Sequence, residues 1–196
     1  MAPKTKEQFE EIRQRSMAAI KQAALELFAH QGYHSTSISN IAQEAGISKG
    51  LMYNYFASKE ALLIEIIEDA VAMGDWLIHE ALEIEGSGFD KLAYLTRTTM
   101  AFVKKNYHYW KLLLSLAFQP DAQAALGPIL KEKEEETMTK TAAIFEEMGV
   151  ENPMQEMMLY GAMMDGVAIQ YMQFTEGYPL EMMVEMTLDR YRIYAD

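Results

Sequence analysis

The sequence predicts an all-α protein of about nine helices, and three observations carry that prediction. Apolar residues recur at i, i+3 and i+4 along most of the chain, with no strand-like alternation between them. Serine, threonine or proline stands ahead of many of these runs and glycine behind them, which is how helices open and close. Only 11 glycines and 5 prolines stand among 196 residues, against 16 methionines and 11 tyrosines, so the interior is soft and aromatic.

In chain order, Met17, Ile20, Ala24, Leu27 and Phe28 give a first helix from about Arg13 to Gln31, closed by Gly32. Ser37 caps a short helix through Ile38, Ile41, Ala42 and Ala45, which Gly46 stops. Ser48 caps a third over residues 49–56. Ser58 then opens a longer helix whose Leu62, Leu63, Ile66, Ile67, Ala70 and Val71 form a stripe towards Ile78. After Gly86-Ser87-Gly88 come segments at 89–106 and 107–118. Pro120 and Gly127-Pro128 break the chain, and a helix follows over 129–148. Its acidic and basic run at 131–136 reads as a solvated face. Asn152-Pro153 starts a helix over 153–175, since proline at the first helical position loses no hydrogen bond. Gly177 and Pro179 separate it from a last helix over 179–195.

The chain carries a net charge of -12, unevenly spread. Residues 1–60 hold seven Lys/Arg and six Asp/Glu, for +1, while residues 61–196 hold ten and twenty-three, for -13. Only the N-terminal part suits a polyanion. No cysteine is present, which excludes disulfides and thiolate chemistry. No run reaches eighteen uninterrupted apolar residues, and charges occupy the place of a signal peptide, so a soluble cytoplasmic protein without membrane contact is expected. Catalysis has little to stand on. None of His30, His34, His79 and His108 belongs to a metal-binding or di-iron helical motif, and no phosphate loop or serine with an identifiable base occurs. Neither a cofactor nor a metal is expected.

Two short helices joined at a glycine turn and preceded by a longer helix form the plan of helix-turn-helix DNA readers. Ala42 is small where the helices cross, Gly46 permits the turn, and Ile41, Ile47 and Met52 point inward. The stretch TSISNIAQEAGISKGLMYNYFASKEALL (36–63) resembles the signature of TetR-type transcriptional regulators, the likeness spanning about residues 13–63. Leu51 departs from it, standing where many members have threonine. The resemblance implies a DNA-binding domain over 1–60 and a ligand-binding and dimerisation domain over 61–196. It also implies a recognition helix at 48–54 that presents Ser48, Lys49, Gly50, Leu51, Tyr53 and Asn54 to the major groove. Asn54 suits a base edge and Leu51 a thymine methyl. Thr36, Ser37, Tyr53, Tyr55 and Lys59 are expected at the DNA backbone. Phe56 reads as core. Lys4, Lys6, Arg13 and Arg15 form a flexible basic arm or an ordinary solvated surface.

The same resemblance implies a homodimer built from the last two helices, a double-stranded DNA operator as partner, and release by a small, largely apolar effector. Nine of the sixteen methionines lie from Met154 onward. The dimer candidates are Met154, Met158, Gly161, Ala168, Met172, Met183, Val184, Thr187, Leu188 and Tyr191. The effector candidates are Trp76, Met100, Phe102, Val103, Tyr107, Trp110, Leu114, Phe118, Asp165, Ile169 and Gln173. Asp165 stands out as a charge in a strongly apolar helix, where it needs a partner. A helical module that docks a protein through its methionines is the competing class, and a steep salt dependence of DNA binding separates the two.

Overall fold

A computed structural model describes residues 5–174 and 176–195; Lys4 of the expected arm lies outside them. Among the described residues the chain forms α1 (Lys6–Gln31), α2 (Ile38–Glu44), α3 (Lys49–Met52), α4 (Lys59–Leu82), α5 (Gly88–Lys105), α6 (Tyr107–Ala117), α7 (Pro120–Glu147), α8 (Pro153–Phe174) and α9 (Leu180–Asp189), then a 3-10 turn at Arg192–Tyr194. No strand occurs among them, as the sequence predicts, and none of the helices is long and apolar enough to cross a membrane.

Four boundaries differ from expectation. α1 begins seven residues earlier, at Lys6, because Thr5 and Gln8 form a reciprocal capping box. Its first ten residues bury nothing, so no apolar stripe announces them. α3 stops at Met52: the amides of Asn54 and Tyr55 reach back only three residues, to Leu51 and Met52, and tighten the chain into a turn. α7 runs unbroken from Pro120 through Gly127-Pro128, since an interior proline costs a hydrogen bond without forbidding the helix. α9 ends at Asp189 rather than near 195.

The helices gather into two compact units. The first comprises Met1–Ala70 with Leu112–Gly127, so the boundary expected at residue 60 falls inside α4. Its core holds Ile20, Leu25, Phe28, Ile41, Met52, Phe56, Leu62 and Leu63. Gln119 ties 112–127 into it: its amide donates to the Phe28 carbonyl at 2.9 Å, and its carbonyl accepts from the Tyr33 amide at 2.8 Å. The second unit comprises Val71–Lys111 with Pro128–Asp196. It centres on Phe145, Tyr160 and Tyr191, whose rings meet edge-on or tilted at 5.5 to 6.2 Å between centroids. Gly88 sits tight against α7: a Cβ there would lie 2.7 Å from the Met148 Cγ and 2.9 Å from the Ile144 carbonyl oxygen.

Candidate nucleic-acid interface

α2 and α3 are short and cannot bury a face alone, so their position depends on caps and on the core beneath them. The Ser37 oxygen accepts from the Asn40 amide at 3.1 Å, and the Ser48 oxygen from the Leu51 amide at 3.1 Å. Between the helices Gly46 takes φ +69, a left-handed conformation that a side chain would resist, and the Ile47 amide donates to the Ala42 carbonyl at 2.9 Å. Ile41, Ala42, Met52 and Phe56 are buried below the turn, and Ile47 is half-buried. The unit therefore holds α3 by its inner side and leaves the other side open.

That open side brings together most of the residues expected to face DNA. Ser48, Lys49, Gly50, Leu51, Tyr53 and Asn54 are all exposed, and a Cβ at Gly50 would meet nothing within 4 Å. The Lys49 and Asn54 side chains stand in solvent, open to engage a ligand. Ser37 is exposed at the start of α2, where a backbone oxygen of DNA could meet free amides. Tyr55 is half-buried, with the Arg13 guanidinium 5.4 Å from its ring centroid.

Two expected backbone contacts are corrected. Thr36 is buried, its hydroxyl donated to the Gly32 carbonyl at 2.9 Å, within hydrogen-bond reach of the Leu27 carbonyl at 3.3 Å. It closes the turn after α1 and presents nothing outward. The Lys59 ammonium donates to the carbonyls of Tyr33, His34 and Thr36 at 2.7, 3.1 and 2.8 Å, and lies 4.5 Å from the Tyr33 ring centroid. Three ammonium hydrogens are thus spent on main-chain oxygens, and burial holds the group's pKa below its ordinary value despite the pull of Asp121. Lys59 is a positioning residue that clasps the α1–α2 turn to the start of α4.

The expected basic arm is helical over the described residues. Arg15 pairs with Glu11 at 2.6 Å, whereas Arg13 leans over Tyr55. Lys6, Phe9, Glu10, Ile12, Arg13 and Tyr55 line an open cavity of about 510 Å³, a feature that escapes a sequence reading in which α1 starts at Arg13.

In the second unit, the structure separates the expected effector residues. Met100 and Val103 are buried, while Phe102, Tyr107 and Trp110 are half-buried; Tyr107 donates its hydroxyl to the Met172 carbonyl at 3.0 Å. The Trp110 Nε1 and the Tyr178 hydroxyl are enclosed with no hydrogen-bond partner among the described residues. Asp165, Ile169 and Gln173 lie instead on the exposed side of α8, Trp76 is half exposed on α4, and Leu114 and Phe118 belong to the first unit, Phe118 largely in solvent. The larger described cavity, about 530 Å³, runs between α5 and α9, and of the expected effector residues only Met100 lines it. Arg97–Glu185 and Lys104–Glu181 ion pairs bridge its rim.

The dimer candidates also divide. Met154, Met158, Gly161 and Ala168 are open or partly open on α8, but Met172, Val184, Thr187, Leu188 and Tyr191 are buried within the chain's own core, against which Met183 also packs. The outward side of the last helices is marked by Met182, Met186 and Ile193, one step out of phase with expectation. Among the described residues no group of three or more His, Asp or Glu could hold a metal ion.

Comparison with known proteins bears on this geometry. Residues 20–66 match the bacterial regulatory proteins of the tetR family, a segment running from the first buried residue of α1 through the exposed α3 turn into α4. The helix-turn-helix transcriptional regulator YuxN of Bacillus subtilis is 56% identical over 48 residues, 24% of this chain and 16% of that one. The fatty acid metabolism regulator protein of the same organism is 34% identical over 71 residues, 36% of this chain and 37% of its own. The matches thus span well under two thirds of these relatives. The whole fold resembles the fatty acid degradation regulator FadR of Bacillus halodurans at 19% identity and TM-score 0.72, over 90% of this chain and 94% of that one. It also resembles FadR of Bacillus subtilis, solved with stearoyl-CoA, at 19% identity and TM-score 0.70, over 89% and 96%. The segment similar to the tetR family of bacterial regulatory proteins thus folds as an exposed turn on a buried three-helix base, and the chain as a whole shares the fold of these solved structures.

Proposed function

We propose that the protein is a sequence-specific DNA-binding transcriptional regulator, a homodimeric repressor that leaves a palindromic operator when a small, largely apolar molecule occupies its second unit. The exposed α3 turn carries this reading: Lys49, Gly50 and Asn54 stand open on a segment held in place by its caps and the core beneath it. Gly50 lets the backbone approach DNA, Asn54 offers an amide to an adenine edge, and Lys49 neutralises a phosphate. The +1 balance of residues 1–60 against -13 elsewhere directs a polyanion to this end.

A second copy is the partner that suits the outer side of α8 and α9. Met154, Met158, Leu159, Ile169, Phe174, Met182, Met186 and Ile193 are each 37% to 80% exposed there. Together they offer on the order of 800 Å² of apolar surface, about what one partner contributes to a stable interface. An effector with a long apolar part fits the methionine-rich second unit, and the stearoyl-CoA held by the Bacillus subtilis neighbour supports that class. The unpartnered Trp110 Nε1 and Tyr178 hydroxyl are the polar groups such a molecule would satisfy.

Selection of bound duplexes from a random DNA pool at moderate salt tests the reading. A palindrome of two equal half-sites is expected. Failure of ligand-stripped, folded protein to enrich any sequence would overturn it. Met186→Lys should leave the chain helical and monomeric, as measured by circular dichroism and sedimentation.

A further inference from the structure

We propose that the surface by which two copies associate contains a proton switch at Asp165: the carboxyl enters the contact protonated, and the dimer tightens as pH falls. This rests on the dimer reading above. Asp165 is the one charged residue between Glu156 and Glu176, and it stands midway along α8 on the outward side that also carries Met158 and Ile169. Gly161 and Gly166 flank it, and a Cβ on either would meet nothing within 4 Å. A facing helix comes closest where side chains are smallest, which is at the level of Asp165.

The occupant is a second copy because the exposed apolar residues of this surface amount to about one partner's share of a stable interface, and the charged residues beside them, Glu181, Glu185, Asp189, Arg190 and Arg192, are already paired within the chain. Two chains of net charge -12 repel least through a contact whose charges are already paired. A twofold contact sets the same elements against each other, so the groups facing Asp165 come from α8, α9 and the turn after them. Every cation there is already engaged: Arg190 with Glu156 and Arg192 with Asp189. α9's Glu181 and Glu185 are held by Lys104 and Arg97 of α5, packed behind. Tyr160 and Tyr171 of α8 are buried in the core, and neither helix contains histidine. The carboxyl therefore meets apolar surface and its own twofold copy, both of which favour the neutral form. Even in a single copy its neighbours raise its pKa, through desolvation alone.

Dimers then bind more protons than monomers in the window between the monomer's carboxyl pKa and the dimer's. Association weakens as pH rises through that window, and Kd grows by about tenfold for every tenfold by which the contact strengthens one carboxyl's hold on its proton. The test is the dimer Kd of the full chain by sedimentation and nanomolar dilution at pH 5.5 and pH 8, native against Asp165→Asn and Asp165→Ser, with helicity followed at each pH. The expected result is a native Kd at least tenfold weaker at pH 8, with both variants insensitive to pH and as tight as the native chain at pH 5.5. A native Kd that does not move, a pH response retained in both variants, or variants weaker than native at pH 5.5 would overturn the switch while leaving the dimer standing. A native chain monomeric at every pH and concentration would remove the dimer reading itself, and the switch with it.

Discussion

Replacing Lys59 with methionine keeps the aliphatic stem and removes the ammonium, which separates a clasp from a DNA contact. In the native chain the ammonium donates to three carbonyls at 2.7 to 3.1 Å and lies against the Tyr33 ring. A hydrogen bond to a charged group contributes about 1.5–3 kcal/mol, but Lys59 is only half-buried and water can take over part of each carbonyl's demand. The expected net loss is therefore about 2–3 kcal/mol, or roughly 5–10 °C in Tm for a chain of this length. DNA affinity should fall on all sequences because the α1–α2 turn shifts against α4, while the slope of log K against log salt stays as it was. Thermal melting, with anisotropy titrations at four salt concentrations, reads both quantities. An unchanged Tm together with a salt slope reduced by about 0.9 would refute the reasoning and return Lys59 to the phosphate backbone.

Three further outcomes follow from the same geometry. Asn54→Ala should cost about 1–3 kcal/mol on the selected operator and little on random DNA, leaving the salt slope unchanged; competition titrations measure the ratio. Gly88→Ala forces a methyl to within 2.7 Å of Met148 and 2.9 Å of the α7 backbone, and should destabilise the second unit by about 1–3 kcal/mol in urea melts. The buried Tyr160 hydroxyl, bonded to Thr96 at 2.9 Å, has its pKa pushed up by desolvation to about 12. The native state therefore keeps this proton longer than the unfolded chain does. Stability from this group is complete below pH 10 and is lost as pH rises through about 12, whereas Tyr160→Phe should show a shallower alkaline decline and a loss of about 1 kcal/mol at neutral pH.

The reading turn was legible in the sequence because its determinants are local. Ser37, Gly46 and Ser48 act within three or four residues of themselves, so their spacing alone placed α2, the turn and α3. Thr36 and Lys59 were not legible, because what they do depends on how the main chain turns after α1, and for Lys59 on carbonyls far away in sequence. The Thr36 hydroxyl closes on the end of α1, and the Lys59 ammonium finds carbonyls 23 to 26 residues away. A lysine or threonine beside a helix terminus looks the same in sequence whether it serves a phosphate or a carbonyl. Only the path of the chain after Gly32 distinguishes the two. The start of α1 was hidden for a different reason: ten exposed residues leave no apolar period, and the capping box at Thr5 is the one signal that could have found it.

α9 shows why periodicity alone could not assign the outer surface. Val184, Thr187 and Leu188 make one helical stripe and Met182 with Met186 another, so an apolar helix admits either side as its inner one. The choice is settled by Tyr191, which is buried against Phe145 and Tyr160 at 5.5 and 6.2 Å and has its hydroxyl bonded to Glu156 at 3.0 Å. Positions seven, four and three before Tyr191 are Val184, Thr187 and Leu188, so fixing the tyrosine turns all three inward and leaves the methionines outside. The residue types agree with that placement. Branched side chains with few rotamers fill the fixed interior, while unbranched methionines, which adapt to whatever they meet, occupy the exposed side. On such a surface a carboxyl is the costly exception, and its position in the middle, rather than at the rim, makes Asp165 the group through which pH would act.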